Sequence, residues 1–399
     1  MKKMTDPAAP VPHALVSESL DAPQPYAPSL SPLDPEPQPP APPTVTTYPL
    51  SFTGSAAEYF RIWIVNVALS VITLGFYTPW ARVRTRKYFY GHTWLDGHNF
   101  EYTANPWALL RGYLIVAVFW GAYALSSQFP YRGSDWVIGI IAALFVLTYP
   151  WLVRQSMRFL ARSTVHRGLS FRFLGTLPAA YMSYGLANLA AIFSAGLALP
   201  WAWSVQRDYQ VSGVAYGSAQ GRFRGDVGAF YVMALTGVAL AFGGSMILGL
   251  LGLVLSGGLA LSNLGSLNTQ DDSFVNAILI TVVAAYVGFF VLYGLAGQYV
   301  RGAIMKYVLS NVELGGVVRL GSNLNPWMLV WITISNYVAQ VFTLGLLTPW
   351  AAVRRTKYVL DHIQVRAITS LDDFTAVNSA QEIALGEAAT ELLDINIGF

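Results

Sequence analysis

Long apolar runs, repeated along most of the chain, are what most restricts the fold this sequence can adopt. Between about residues 60 and 350, stretches of 18 to 35 residues recur with little or no charge. As helices they are long enough to cross the roughly 30 Å hydrocarbon core of a bilayer. A water-soluble fold needs a charged shell, yet only 11% of the 399 residues are charged and 54% are hydrophobic. Many of the 12 Trp and 22 Tyr stand at the ends of the runs, where amphipathic rings settle at headgroup depth. The expected fold is an all-α polytopic membrane protein: a helical bundle with internal repeats and interrupted helices, plus short cytoplasmic β elements. Its expected domains are a tail over 1–46, a membrane domain over 47–365 and an acidic cytoplasmic tail over 366–399.

Residues 1–46 hold 13 of the 22 prolines and no apolar period, which describes a disordered, partly polyproline-like segment. Met1-Lys2-Lys3 precedes polar sequence rather than an apolar core, so no cleavable signal peptide is expected. The absence of cysteine excludes disulfides, thiolate metal sites and a cysteine nucleophile. Tyr48 to Gly54 alternates and ends in glycine, the pattern of a short strand, with Phe100-Glu101-Tyr102 as its expected partner.

Seven apolar segments follow, at about 58–80, 108–128, 136–153, 179–203, 228–262, 274–298 and 326–350. Lys and Arg between them set orientation. Four lie in 81–107, five in 154–178, three each in 204–227 and 299–325, and four after residue 350; 129–135 has Arg132 alone and 263–273 has none. Segments 58–80, 179–203 and 326–350 therefore have basic sequence on both sides or a cytoplasmic-looking tail, yet a single crossing cannot return to its own side. Three segments that dip into the membrane and return, alternating with two transmembrane hairpins, resolve this conflict. Seven ordinary spans with a weak charge bias are the alternative. Both termini are expected on the cytoplasmic side.

The three odd segments are internal copies. Thr73 to Tyr88 and Thr343 to Tyr358 agree at 11 of 16 positions, including Gly75, Pro79, Trp80 and Arg84 in the first and Gly345, Pro349, Trp350 and Arg354 in the second. Asn66 and Asn336 precede the two copies at the same distance. A looser copy has Asn188, Gly196, Pro200 and Trp201, with the Asn one residue nearer. Pro150-Trp151 begins a partial copy whose downstream spacing matches the first: Thr93, Gly97, Phe100 and Tyr102 correspond to Thr164, Gly168, Phe171 and Phe173.

Gly followed four residues later by Pro predicts a helix interruption, because Gly adds backbone freedom and Pro lacks an N–H. Carbonyls freed there need partners in protein or water. The Trp is expected to anchor at the interface, and the Arg cluster to lie against anionic headgroups. Asn66, Asn188 and Asn336 fall within apolar runs, where an amide needs a hydrogen-bond partner, so they are the candidate structural or ligand-binding polar positions.

These residues resemble the YjgN family of bacterial inner-membrane proteins, whose domain is one of unknown function. The matching signature is Phe52-Thr53-Gly54, Glu58-Tyr59-Phe60, Asn66, Thr73-Leu74-Gly75-Phe76-Tyr77, Pro79-Trp80-Ala81, Tyr88, His92-Thr93 and Gly97 with Phe100. Gly386-Glu387 and Asp394-Ile395-Asn396-Ile397-Gly398-Phe399 are similar to the family's acidic ending, although Asn396, Ala388 and Ala389 depart from it. The resemblance covers about residues 48–399. It implies a multi-pass protein of the bacterial cytoplasmic membrane and no reaction, substrate or cofactor.

His92 and His98 lie near Asp96, but the neighbouring Gly91 and Gly97 read as a turn rather than a metal site. No catalytic, cofactor-binding or metal residue is expected, nor is the protein expected to be an enzyme. Only Glu58, Arg61 and Arg111 approach the apolar runs, all near their ends, which disfavours a proton relay. Two classes remain: a small-solute transporter or channel-like protein built from broken helices, and a non-transporting scaffold or envelope/lipid-interacting protein. The partner expected of either is the bilayer, with anionic lipids at the cytoplasmic face and no nucleic acid. Acidic residues over 372–395 are spaced for a helix that caps the basic loops, and a solvated tail fits them equally.

Overall fold

The computed structural model describes residues 45–128, 134–262 and 272–380. The Pro-rich tail, the segments 129–133 and 263–271, and the acidic ending from 381 onward lie outside the described residues.

Among the described residues one unit is repeated five times: a strand, a helical hairpin and a second strand, the second strand being the shorter in the first four units. The first unit is β1 (Thr46–Phe52), α1 (Ala56–Ile72), α2 (Thr78–Gly91) and β2 (Thr93–Leu95). The second is β3 (His98–Tyr102), α3 (Pro106–Gln128), α4 (Ser134–Arg162) and β4 (Thr164–His166). The third is β5 (Leu169–Phe173), α5 (Leu177–Phe193), α6 (Leu199–Ser212) and β6 (Val214–Tyr216). The fourth is β7 (Ala219–Phe223), α7 (Val227–Ser262), α8 (Asp272–Ser310) and β8 (Val312–Leu314). The fifth is β9 (Val318–Ser322), α9 (Pro326–Phe342), α10 (Thr348–Asp361) and β10 (Ile363–Ala367). A last helix, α11, covers 371–380.

All ten strands join in one closed antiparallel barrel, in the order β1-β10-β9-β8-β7-β6-β5-β4-β3-β2. This corrects the all-α expectation. Strands of three to seven residues are too short to show an alternation of their own, and closure depends on Thr46 pairing with Ala367 at the far end of the sequence. The expected partner of β1 is corrected too: β1 pairs with β10 and β2, while Phe100-Glu101-Tyr102 pairs with β4. Tight turns link the units. Asp96-Gly97 and Arg167-Gly168 both have two successive residues with φ between 49° and 77°, the form whose twist suits an antiparallel hairpin.

Each helical hairpin begins and ends in neighbouring strands, so all five return to the barrel. Four helical stretches are long and apolar enough to cross a membrane: Pro106–Gln128, Ser134–Arg162, Val227–Gly252 and Leu279–Ser310. They form the second and fourth hairpins. The returning arms of the other three hairpins are only 14 residues long, about 21 Å, and their outgoing arms are 17 residues.

The repeated Thr-Leu-Gly-Pro-Trp sequence is the reversal of the short hairpins rather than a break in a continuing helix. In the first, Leu74 and Gly75 have φ of 49° and 89°, and the Gly75 N–H donates to Ser70 O at 2.6 Å to close the end of α1. The Thr73 hydroxyl donates to Leu69 O and accepts from the Tyr77 N–H, tying both arms. Gly75 O accepts from the N–H and hydroxyl of Thr78, and Pro79 stands at the second position of α2, where no N–H is required. The fifth hairpin repeats every one of these bonds with Thr343, Gly345 and Thr348. In the third, Gly196 makes the same backbone bonds and the Ser194 hydroxyl accepts from the Ala198 N–H but donates to Ala191 O, three residues back, and the second threonine is absent. The tips are apolar and exposed: Leu74 at 96%, Phe193 at 85% and Leu344 at 95%. A tip with its polar backbone closed internally and its apolar side chains outward is suited to hydrocarbon.

Candidate functional site

The barrel axis is the one place where all five units converge. The second residue type of each short strand, counting inward positions, forms a layer of Leu95, His166, Tyr216, Leu314 and Val365. The long strands add Leu50, Phe100, Phe171, Gly221 and Leu320. Glycine at 221 is required because a Cβ there would collide with the Val211 carbonyl oxygen. These residues enclose a cavity of about 430 Å³. A second cavity of about 650 Å³ adjoins it and shares Leu50, Phe100, Phe171, Gln210 and Val214. This upper space lies among the returning arms, lined by Phe89 and Tyr90 of α2, Met157, Leu160 and Ala161 of α4, and Thr356 and Leu360 of α10.

The result is a two-part apolar chamber whose few polar groups are mostly satisfied within the protein. Gln210 donates to the Tyr184 hydroxyl at 2.7 Å and accepts from Arg207 at 2.6 Å. Thr93 and Thr164 donate to carbonyls one helical turn back. Tyr216 donates to the His166 carbonyl at 2.9 Å, and burial pushes its hydroxyl pKa up. His166 is the exception. Its ring stacks on Phe100 at 4.4 Å, and its Nε2 is buried without a partner. Burial, reinforced by the adjacent Arg167 guanidinium, lowers its pKa from 6.5 to about 4, so the imidazole is neutral near pH 7.

Helix α11 covers the turn end of the barrel. Ser370 caps it by accepting from the Asp373 N–H at 3.0 Å while donating to the Asp373 carboxylate. Leu371 is buried in the barrel core, Phe374 stacks on Tyr216, and Asn378 accepts from the Ser218 hydroxyl at 2.6 Å. Arg167 bridges the turn to the helix by pairing with Asp96 at 2.6 Å and with Asp372. On the outer barrel wall Glu313 is held by Arg319 and Arg224; burial alone would raise its carboxyl pKa, but the two guanidiniums outweigh this and lower it.

The candidate asparagines and the Gly, Pro, Trp and Arg of the repeat motif lie in the hairpins and not in the chamber wall. Asn66 donates to Ala81 O at 3.3 Å and Asn336 to Ala351 O at 3.1 Å, each spanning its hairpin. Arg354 donates to the Asn336 side-chain oxygen at 3.0 Å and lies over Trp350 at 5.1 Å. The equivalent Arg84 instead reaches the Tyr77 hydroxyl, leaving Asn66 Oδ1 buried without a partner. Asn188 follows a π-helical turn over Tyr181–Leu186, bonds Tyr184 O within its own arm, and accepts from Gln206 across the hairpin. Trp80 packs edge-on against Trp107, and Trp201 against the alanines of the third hairpin. Gly75, Gly196 and Gly345 make the turns, and Pro79, Pro200 and Pro349 start the returning arms. His92 and His98 each bond a nearby carbonyl, and among the described residues no group of three or more His, Asp or Glu is placed to hold a metal.

Sequence spacing marks Thr93, Phe100, Thr164, Phe171 and Phe173 of the chamber wall as equivalent positions but does not show that they face one cavity. Their signal was present in the matched spacing of Thr93, Phe100 and Tyr102 with Thr164, Phe171 and Phe173, which marks the strand pairs of the barrel.

No solved structure matches the chain. Among curated proteins, "Inner membrane protein YjgN" of Salmonella typhimurium is 23% identical over 84% of this chain and 92% of its own length. Proteins of the same description from Escherichia coli O157:H7 and K12 are each 28% identical over 32% of both chains. A family model described as "Bacterial protein of unknown function (DUF898)" matches residues 47–392, and the chain belongs to that family, as a membrane protein among relatives named for the inner membrane.

Proposed function

We propose that this is a non-enzymatic, lipid-interacting protein of the inner membrane that takes the hydrocarbon part of a lipid into the barrel chamber. The observation that carries this reading is the chamber itself: two adjoining cavities of about 650 and 430 Å³, walled by apolar side chains. Spaces of this size are typical of sites that enclose a small molecule. A hydrophilic solute gains little there, because the wall offers few free hydrogen-bonding groups and dehydrating polar groups without replacement is costly. That favours lipid interaction over transport of a small polar solute. The basic sequence around the barrel supports a cytoplasmic position for the barrel and for both termini, with the short hairpins dipping among inner-leaflet lipids.

Mass spectrometry of the purified chain, released from lipid nanodiscs under native conditions, tests the proposal. A lipid adduct retained by the unmodified protein and lost in Val214→Trp, which blocks both cavities, is the expected result. Thr356→Phe fills only the upper cavity and provides a second variant should the first fail to fold. Equal lipid retention in well-folded blocked variants would remove the chamber as the binding site.

A further inference from the structure

We infer that the lipid received by this chamber carries an anionic head group, read by Arg86 and Arg207; the inference rests on the chamber being a lipid site. The five returning arms enter their short strands in the same register. Three residues before each strand stand Tyr90, Ala161, Val211, Leu309 and Leu360, and all five line the chamber. One helical turn farther from the barrel, the equivalent positions are Arg86, Met157, Arg207, Met305 and Thr356. Met157 and Thr356 line the upper cavity, so this ring is its rim, about 10 Å above the barrel.

Two of the five positions at this level are therefore arginines, flanking the apolar wall rather than forming it, and Arg207 bonds the wall residue Gln210. Both are half-buried, and among the described residues neither has a carboxylate partner. Arg86 donates to the Tyr102 hydroxyl at 2.9 Å and lies over that ring, and Arg207 donates to the Gln210 side-chain oxygen. Those neutral partners orient the guanidiniums without neutralising them. A partly desolvated arginine gains most from a phosphate or carboxylate, which its planar fork matches with two parallel hydrogen bonds. An amphiphile satisfies both features at once, its chain below the rim and its anion on it.

Equilibrium binding of hexadecyl phosphate, hexadecanol and inorganic phosphate to the full chain in neutral detergent tests this. The expected result is hexadecyl phosphate bound about tenfold more tightly than hexadecanol, with inorganic phosphate unable to displace it. In Arg86→Gln/Arg207→Gln the preference should fall to about twofold with hexadecanol binding unchanged, and Arg86→Lys/Arg207→Lys should restore part of it. Equal affinity for the two amphiphiles in the unmodified protein, or a preference that survives the glutamine substitutions, would overturn the head-group assignment while leaving the chamber proposal intact. Displacement by inorganic phosphate would overturn it as well, by showing a free-anion site. Failure of both amphiphiles to bind would instead defeat the chamber reading.

Discussion

The short and long hairpins are rooted in the same barrel, and four of their returning arms carry a proline at the same register, yet one kind turns back and the other continues. Pro79, Pro150, Pro200 and Pro349 all stand 14 residues before the first residue of a short strand. In α2, α6 and α10 the proline begins the returning arm, whereas Pro150 lies inside the unbroken helix α4. Proline is therefore not what reverses the chain. The difference lies four and six residues earlier: Gly75, Gly196 and Gly345 with Thr73, Ser194 and Thr343 in the short hairpins, but Val146 and Leu144 in α4. A left-handed glycine and a hydroxyl that bridges both arms are what make a closed turn. Without them the helix runs through the proline.

The largest way to break that comparison is to remove the glycines. Gly75→Val with Gly345→Val forces a β-branched residue to φ near 90°, at about 1–3 kcal/mol per site or more, in apolar tips where no water can repair the turn. Loss of monodisperse protein on size exclusion in mild detergent is the expected outcome. The converse change, Val146→Gly, should leave α4 helical at a cost of about 1 kcal/mol, because the bridging hydroxyl is still missing. Were Val146→Gly the more damaging, the assignment of the turn to glycine would fail.

The barrel sharpens the comparison by asking whether units with long and short hairpins are equivalent at their roots. In four units the inner layer has Leu95, Tyr216, Leu314 and Val365; the second unit has His166. Its pKa is about 4 in the folded protein against an ordinary 6.5, so between those values the unfolded chain binds the proton and the folded chain does not. Stability therefore falls as pH drops through that window, by roughly 3 kcal/mol at pH 4 from this residue. His166→Leu, matching Leu95 and Leu314, should flatten this part of the profile when melting temperature is followed from pH 7 to pH 4. An unchanged acid profile would show that the buried imidazole is not its source.

How much of this was readable beforehand differs between the two layers of the molecule. The alternation of short and long hairpins is legible in charge placement, because basic residues on both flanks of 179–203 and 326–350 favour segments that return to their own side, and Thr73 to Tyr88 repeats at Thr343 to Tyr358. The barrel was hidden for a physical reason. A strand such as Thr164–His166 has three residues, its partners lie across turns and hairpins, and closure joins Thr46 to Ala367. No local period reports such pairing, although Gly97 and Gly168 at matched offsets record its turns. The chamber was hidden with the barrel, since its wall is drawn from all five units.

A smaller perturbation targets the hydroxyl bridge. Thr73→Val or Thr343→Val leaves the following backbone N–H without its acceptor, and about 1–3 kcal/mol of stability should be lost in either hairpin. Serine at the same positions should restore most of the melting temperature, as Ser194 already performs this role in the third hairpin. A valine variant that melts with the unmodified protein would mean the tip backbone finds another partner.

The smallest effect separates the two most similar hairpins. Asn336 joins its arms through two bonds, donating to Ala351 O and accepting from Arg354, so Asn336→Ala removes both, although the guanidinium keeps Ser335 Oγ at 2.7 Å; about 1–2 kcal/mol is expected. Asn66 makes only the longer bond to Ala81 O, and its own Oδ1 is already buried without a donor. Removing that side chain deletes an unsatisfied acceptor along with a weak bond, and the net loss should stay below about 1 kcal/mol. Tyr77→Leu, which installs the residue found at Leu347, would free Arg84 to reach Asn66 as Arg354 reaches Asn336. After that change Asn66→Ala should cost as much as Asn336→Ala. If the two asparagines already melt alike in the unmodified protein, or if Tyr77→Leu does not bring them together, the inequality between the two clasps has some source other than the arginine that Tyr77 holds away.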